Sequence, residues 1–131
     1  MSRAARSLLV FGIYILILSL LLIIIPNLFL SLFGFPPTTE VWLRVAGVLL
    51  LYLAIYDIQA ARAELTSFFM WSIYTRGSVI FVFTAFVILG FSGPMLILFG
   101  VADFLSAIWT ATALSGEFAP VSKALPIPVA A

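Results

Sequence analysis

The sequence predicts an all-α protein: a four-transmembrane-helix bundle, up-and-down, with both termini cytoplasmic and a short interfacial segment on the outer side. Three observations carry that expectation. Of 131 residues, 65% are apolar and 8% charged, against about 45–50% and about 25% in a soluble domain. So short a chain has too little interior to hide that much apolar surface, so its solvent is lipid. Four stretches reach the roughly 20 apolar residues needed to cross a hydrocarbon core. Finally, the Lys and Arg residues outside those stretches all fall on one side of four crossings.

The first span covers about 7–25, "SLLVFGIYILILSLLLIII", and stops at Pro26, which cannot continue a helix. Arg3 and Arg6 precede it as they would in a signal peptide. The apolar run exceeds the roughly 7–15 residues of such a peptide, and no small-residue cleavage site follows, so an uncleaved span is expected. "PNLFLSLFGFPP" is apolar but too short to span, and prolines bound it. It is expected along the outer interface or over the bundle mouth.

The second span covers about 40–61, with Thr39 as its N-cap. "RAELTS" makes a polar inner turn before the third span, about 68–90. "GFSGP" ends that span and starts the fourth, about 94–114, with Pro94 suited to its first turn. Residues 1–114 thus form the membrane domain. Residues 115–131, "SGEFAPVSKALPIPVAA", hold three prolines and read as an irregular tail.

Arg3, Arg6, Arg62 and Lys123 share one side, while the loops at 26–39 and 91–93 carry neither Lys nor Arg. The positive side is the cytoplasmic one, and the expected location is a bacterial inner membrane. Trp42, Trp71 and Trp109 fall toward span ends, where aromatic belts form.

Composition also excludes function classes. With no Cys and no His, the chain lacks disulfides, thiol chemistry, Cys/His metal sites and the commonest general base. A net charge of +1 without a basic stripe excludes nucleic acid. No metal site or catalytic residue is evident, and an enzyme acting alone is not expected. No cofactor is evident either; a quinone, lipid or carotenoid is the class a Phe-rich membrane groove would take.

Four charges lie inside spans: Arg44, Asp57, Arg76 and Asp103. An unpaired central charge costs about 2.5–3.5 kcal/mol on insertion scales, so such residues face the bundle interior. Counting from the inner turn at ~1.5 Å per residue, Asp57 lies about nine residues before it and Arg76 about ten after it. Counting from the outer turn puts Asp103 within ~7 Å of Arg76 in depth. The expectation is a buried salt bridge between Arg76 and Asp57, with Asp103 as second partner, pinning helix register. The alternative is a proton or ion relay, or an anion-binding Arg.

Small residues mark packing faces, because they let helices approach closely in lipid. Gly100, Asp103, Ala107 and Ala111 recur at helical spacing in the fourth span, and Ala46, Ala54, Asp57 and Ala61 in the second. These stripes predict an interior where the second, third and fourth spans converge. Tyr52, Tyr56, Tyr74 and Trp109 are the candidate ligand-facing aromatics.

Several stretches together resemble a known family type. They are "LRVAG" entering the second span, a Tyr-rich exit with "AAR", an Arg within the third, and "FGVADFLSAIWTATAL" in the fourth. Over about residues 8–114 the chain resembles small four-helix bacterial membrane proteins of the DoxX-like and BphX-like type. The resemblance implies fold and membrane location. Some members of that type are linked to quinone-coupled oxidation, others to aromatic-degradation operons. No catalytic residue carries over.

The leading expectation is a non-catalytic accessory or scaffold subunit that docks a larger membrane complex or self-associates. One alternative is a small transporter or channel. The chain is similar in size to small multidrug transporters, which carry an essential Glu in the first helix. The first span here has no charge, so transport would rest on Asp57, Arg76 and Asp103. The other alternative is a quinone-, lipid- or pigment-binding membrane protein.

Overall fold

The computed structural model describes residues 1–124, with side chains through Glu117. The described residues form five helices and no strand: α1 (Arg3–Ile24), α2 (Pro26–Leu32), α3 (Trp42–Arg62), α4 (Thr66–Ile88) and α5 (Leu96–Ala124). All but α2 are long and apolar enough to cross a membrane. Their outward faces carry exposed residues such as Ile17, Leu49, Tyr56, Phe81 and Leu105. Such a surface suits lipid and would be unstable in water.

Local chemistry sets the boundaries. The Ser2 hydroxyl accepts the Ala5 amide at 3.0 Å and caps α1. Ile25 (φ −132°, ψ 60°), outside the helical region ahead of Pro26, ends α1, and Pro26 then takes the first position of α2. Thr39 does not cap α3: that helix begins at Trp42 behind Val41, with no side-chain cap. Thr38 instead accepts the Glu40 amide, and its own amide donates to Asn27 Oδ1. The chain leaves α3 through Glu64, which takes a left-handed φ of 53°. It leaves α4 through Gly90 (φ 81°), with the Phe91 amide reaching back to the Phe86 carbonyl at 2.9 Å, the Schellman arrangement that favours glycine.

The last helix runs on to Ala124, so residues 115–124 are helical where prolines had predicted an irregular tail. The reason is tertiary. Ala113 and Leu114 are buried beside Ala4, Ala5 and Leu8, and the Glu117 carboxylate accepts the Ala4 amide at 3.1 Å. Residues 125–131 lie outside the described residues, and Lys123 lies beyond the last described side chain.

The helices pack in the order α3, α1, α5, α4, each chiefly against its neighbours in that row. Along the α1–α3 seam, Gly12 faces Asp57 and Ile58 while Gly47 faces Leu22 and Ile23. Contacts thus advance along one helix as they retreat along the other. The α4–α5 seam behaves likewise, with Gly100 against Ile80 and Arg76 against Thr110. So does the α1–α5 seam, with Ala4 by Glu117 and Ser7 by Thr110. A Cβ on Gly47 would lie 2.9 Å from Ile23 Cγ1, and one on Gly100 would lie 2.8 Å from the Ile80 Cα. These helices touch backbone to backbone, as small residues in lipid allow.

The second, third and fourth spans do not pack directly on one another as their stripes predicted: α1, not α3, lies beside α5. Although consecutive in sequence, α3 and α4 barely touch. They meet near their connecting turn, where Ala60, Ala61 and Phe69 join the buried cluster of Ala4, Leu8 and Leu114. The short α2 packs Phe29 and Phe33 on Phe99 at the start of α5, with ring centroids 5.7 and 4.9 Å away.

Candidate functional site

The separation of α3 from α4 leaves a cleft of about 390 Å³, within the size range of small-molecule sites. Leu50 and Leu53 of α3 form one wall, and Phe68, Trp71 and Val79 of α4 the other. Phe11 and Ile15 of α1 close the back. Asp57, Arg76 and Asp103 line it as well, so three formal charges from three helices meet one largely apolar space.

Arg76 is 5% exposed, and each of its three guanidinium nitrogens donates a hydrogen bond. One turn earlier on α4, Ser72 accepts from its Nε through Oγ (3.0 Å) and the backbone carbonyl (3.3 Å). Nη1 donates to Ser106 Oγ at 3.1 Å, and Nη2 donates to Thr110 Oγ1 at 3.0 Å, both on α5. Thr110 Oγ1 also shares a 2.8 Å hydrogen bond with Ser7 Oγ, which carries the network to α1. The Phe11 ring lies 4.6 Å from the guanidinium carbon, within cation–π range. A hydrogen bond to a charged group contributes about 1.5–3 kcal/mol. Three of them are of the size needed to offset the roughly 2.5–3.5 kcal/mol insertion cost of an arginine.

The expected buried salt bridge is absent among the described residues. Hydroxyls hold the guanidinium instead, because α4 packs on α5, whose Ser106 and Thr110 face it. Asp57 sits on α3 across the cleft, against Gly12 of α1. It is 8% exposed, and neither it nor Asp103 accepts a side-chain hydrogen bond among the described residues. Each lines the cleft without a donor among the described residues. Arg44 does not join the other three charges: it is exposed, and its Nη1 donates to the Ile23 carbonyl.

The other sequence candidates divide. Gly100 and Ala107 are buried at the α4–α5 seam, and Ala54 is buried against Phe11 and Ile15 of α1. Ala111 is half-buried, and Ala46 is exposed beside a second cavity. Tyr52, Tyr56 and Tyr74 are exposed and do not line the cleft, and Trp109 lines separate shallow hollows against α1. The aromatics at the cleft are Phe11, Phe68 and Trp71. Spacing offered a signal for two of them: Phe68, Trp71, Ser72, Thr75, Arg76 and Val79 form one helical face. Asp103, Ser106 and Thr110 likewise share a face of α5, which hinted at the hydroxyl cradle.

The second cavity, about 410 Å³, lies beyond Asp103 beneath α2 and is lined by Tyr14, Phe29, Phe35, Phe83 and Phe99 among others. Ile15, Leu50 and Asp103 border both spaces. No group of three or more acidic side chains able to hold a metal occurs among the described residues. Comparison with known proteins leaves these features to speak for themselves: no family model, no curated protein and no solved structure matches the chain.

Proposed function

We propose that the protein is an integral membrane protein that binds an amphipathic small molecule of lipid or quinone type in the α3–α4 cleft. The observation that carries this reading is the cleft itself: apolar and aromatic walls around three convergent charged side chains, two of them carboxylates without a donor among the described residues. A site of that composition takes a molecule with an apolar body and a polar head. With α3 and α4 apart, such a molecule enters sideways from the lipid.

The reading includes an up-and-down arrangement with both termini cytoplasmic, in a bacterial inner membrane. Its support is the Lys/Arg bias together with the contacts of Ser2 with Glu64 and Ala4 with Glu117, which gather Arg3, Arg6 and Arg62 at one end. The likeness to DoxX-like and BphX-like proteins belongs to the same proposal and rests on the stretches quoted above.

Transport is a second reading, favoured by one feature. Asp103 borders both cavities, so the cleft and the space beneath α2 meet at a single carboxylate. The accessory-subunit role expected from size and composition gains no feature that a lipid-facing surface lacks.

The test is native mass spectrometry of the protein released from its own membrane in mild detergent. The native chain is expected to retain an amphiphile that Val79→Trp, which fills the cleft, loses while still folding. Identical bound species on both proteins would sink the reading.

A further inference from the structure

We infer that the cleft selects a cationic head group: its ligand is a lipophilic monocation, an amine or quaternary ammonium with an apolar body. This rests on the cleft being a binding site and adds the charge of what it binds.

Counted formally, two carboxylates against one guanidinium leave one negative charge unbalanced in the cleft. The guanidinium is already partly committed. Each of its three nitrogens donates once, to Ser72, Ser106 or Thr110, which uses three of its five N–H groups, and Phe11 lies against its carbon. An anionic head would approach a cation with few donors left and meet two carboxylates. Asp57 is more than nine-tenths buried, lines the cleft, and takes no hydrogen bond among the described residues. No fully buried side-chain oxygen among the described residues lacks a partner, so the Asp57 oxygens keep some access to the cleft, where a carboxylate short of donors is costly. A cation, with or without N–H donors, removes that cost, whereas an acceptor-only head such as a quinone carbonyl does not. The walls add to the preference: Phe68 and the largely exposed Trp71 line the same space, and aromatic rings can attract quaternary ammonium groups through their faces. A single positive charge balances the site, and a dication overshoots it.

The experiment uses the full chain in phosphatidylcholine nanodiscs, with Trp42→Phe and Trp109→Phe so that Trp71 fluorescence reports the cleft. The probes are benzyltrimethylammonium and its neutral carbon isostere neopentylbenzene, which share shape and differ in charge. The cation is expected to bind at least about tenfold more tightly, the scale of one charged contact. Asp57→Asn and Asp103→Asn, tested separately, are each expected to erase most of that preference. Equal binding of the two probes overturns the charge assignment and leaves the cleft reading standing. A preference for the cation that survives both Asn variants also overturns it. If neither probe binds, the charge assignment and the cleft reading fall together.

Discussion

The α1–α3 seam and the α3–α4 gap share one helix and end oppositely. Along the seam, Gly12 and Gly47 remove the side chains that would hold α1 and α3 apart, and backbones come within about a methyl group of contact. Across the gap, Leu50 and Leu53 face Phe68, Trp71 and Val79, and a cavity of about 390 Å³ remains. Lipid tails are as apolar as leucine, so no hydrophobic force closes such a gap; close packing does, and it needs small residues. The same helix is sealed where a glycine on either side lets the backbones approach and open where bulky side chains face each other. Sequence adjacency decides neither outcome.

The largest effect is expected where a seam is forced open. On Gly100 even the first side-chain atom would meet the Ile80 Cα at 2.8 Å, and a backbone atom cannot rotate away. Gly100→Val should cost at least about 1–3 kcal/mol, the usual scale of overpacking, read as a lower melting temperature in detergent. Gly77 is the control. A Cβ there would sit 4.0 Å from that of Ala107, ordinary contact, so Gly77→Ala should stay within about 0.5 kcal/mol of the native protein. Equal losses at both positions would remove the close-approach account of the seams.

A smaller, more diagnostic effect separates the two ways of holding Arg76. If hydroxyls hold it, Ser106→Ala should cost about 1.5–3 kcal/mol, and Thr110→Val, which also loses Ser7, at least as much. Asp57→Asn should leave stability unchanged or raise it, because it removes a buried charge without a protein donor. The exchanged pair Asp57→Arg with Arg76→Asp should not recover what Arg76→Asp alone loses. Rescue by the exchange in a melting assay would restore the salt bridge and discard the cradle.

The smallest effect lies at the closed end of the gap. The Ser2 hydroxyl and amide each donate to the Glu64 carboxylate at 2.7 Å, tying the chain start to the α3–α4 turn. Those two bonds, the hydroxyl's first, hold the Glu64 carboxyl below its usual range. A carboxyl with a lower value folded than unfolded adds stability above its unfolded value, and that contribution is lost as pH falls through the folded one. The Ser2 amide resonance should therefore titrate with a midpoint below the ordinary carboxylate range, and Glu64→Gln should abolish the transition. Because Glu64 is exposed, the melting temperature should barely move. A Ser2 amide that does not respond to acid would remove the latch.

Much of the fold was legible because its signals are local. Pro26 marks the end of the first long helix wherever its neighbours lie, and "GFSGP" marks a turn between two apolar runs. The helical continuation past Leu114 was not legible, since it depends on Glu117 reaching the Ala4 amide more than a hundred residues away. The candidate site was half legible. Depth counting put Asp57 level with Arg76 and Asp103 ~7 Å away in depth, and all three do line one cleft. It mistook their relation, because depth along a helix says nothing about which neighbour that face meets. The stripes singled out Ala46, which is exposed, and passed over Gly12 and Gly47, which close the seam.

The sequence by itself determined that this chain is helical and apolar enough for four crossings, and that Asp57, Arg76 and Asp103 share an interior; it placed Arg44 with them, which the structure leaves exposed. Composition, hydropathy and residue spacing suffice for that, because each helix satisfies its own backbone. Only the tertiary structure decided that α1 rather than α3 stands beside α5, that Arg76 rests on hydroxyls rather than carboxylates, and that a cleft separates α3 from α4. Those outcomes turn on helix rotation and on contacts of a few ångströms between residues far apart in the chain, which no local pattern encodes.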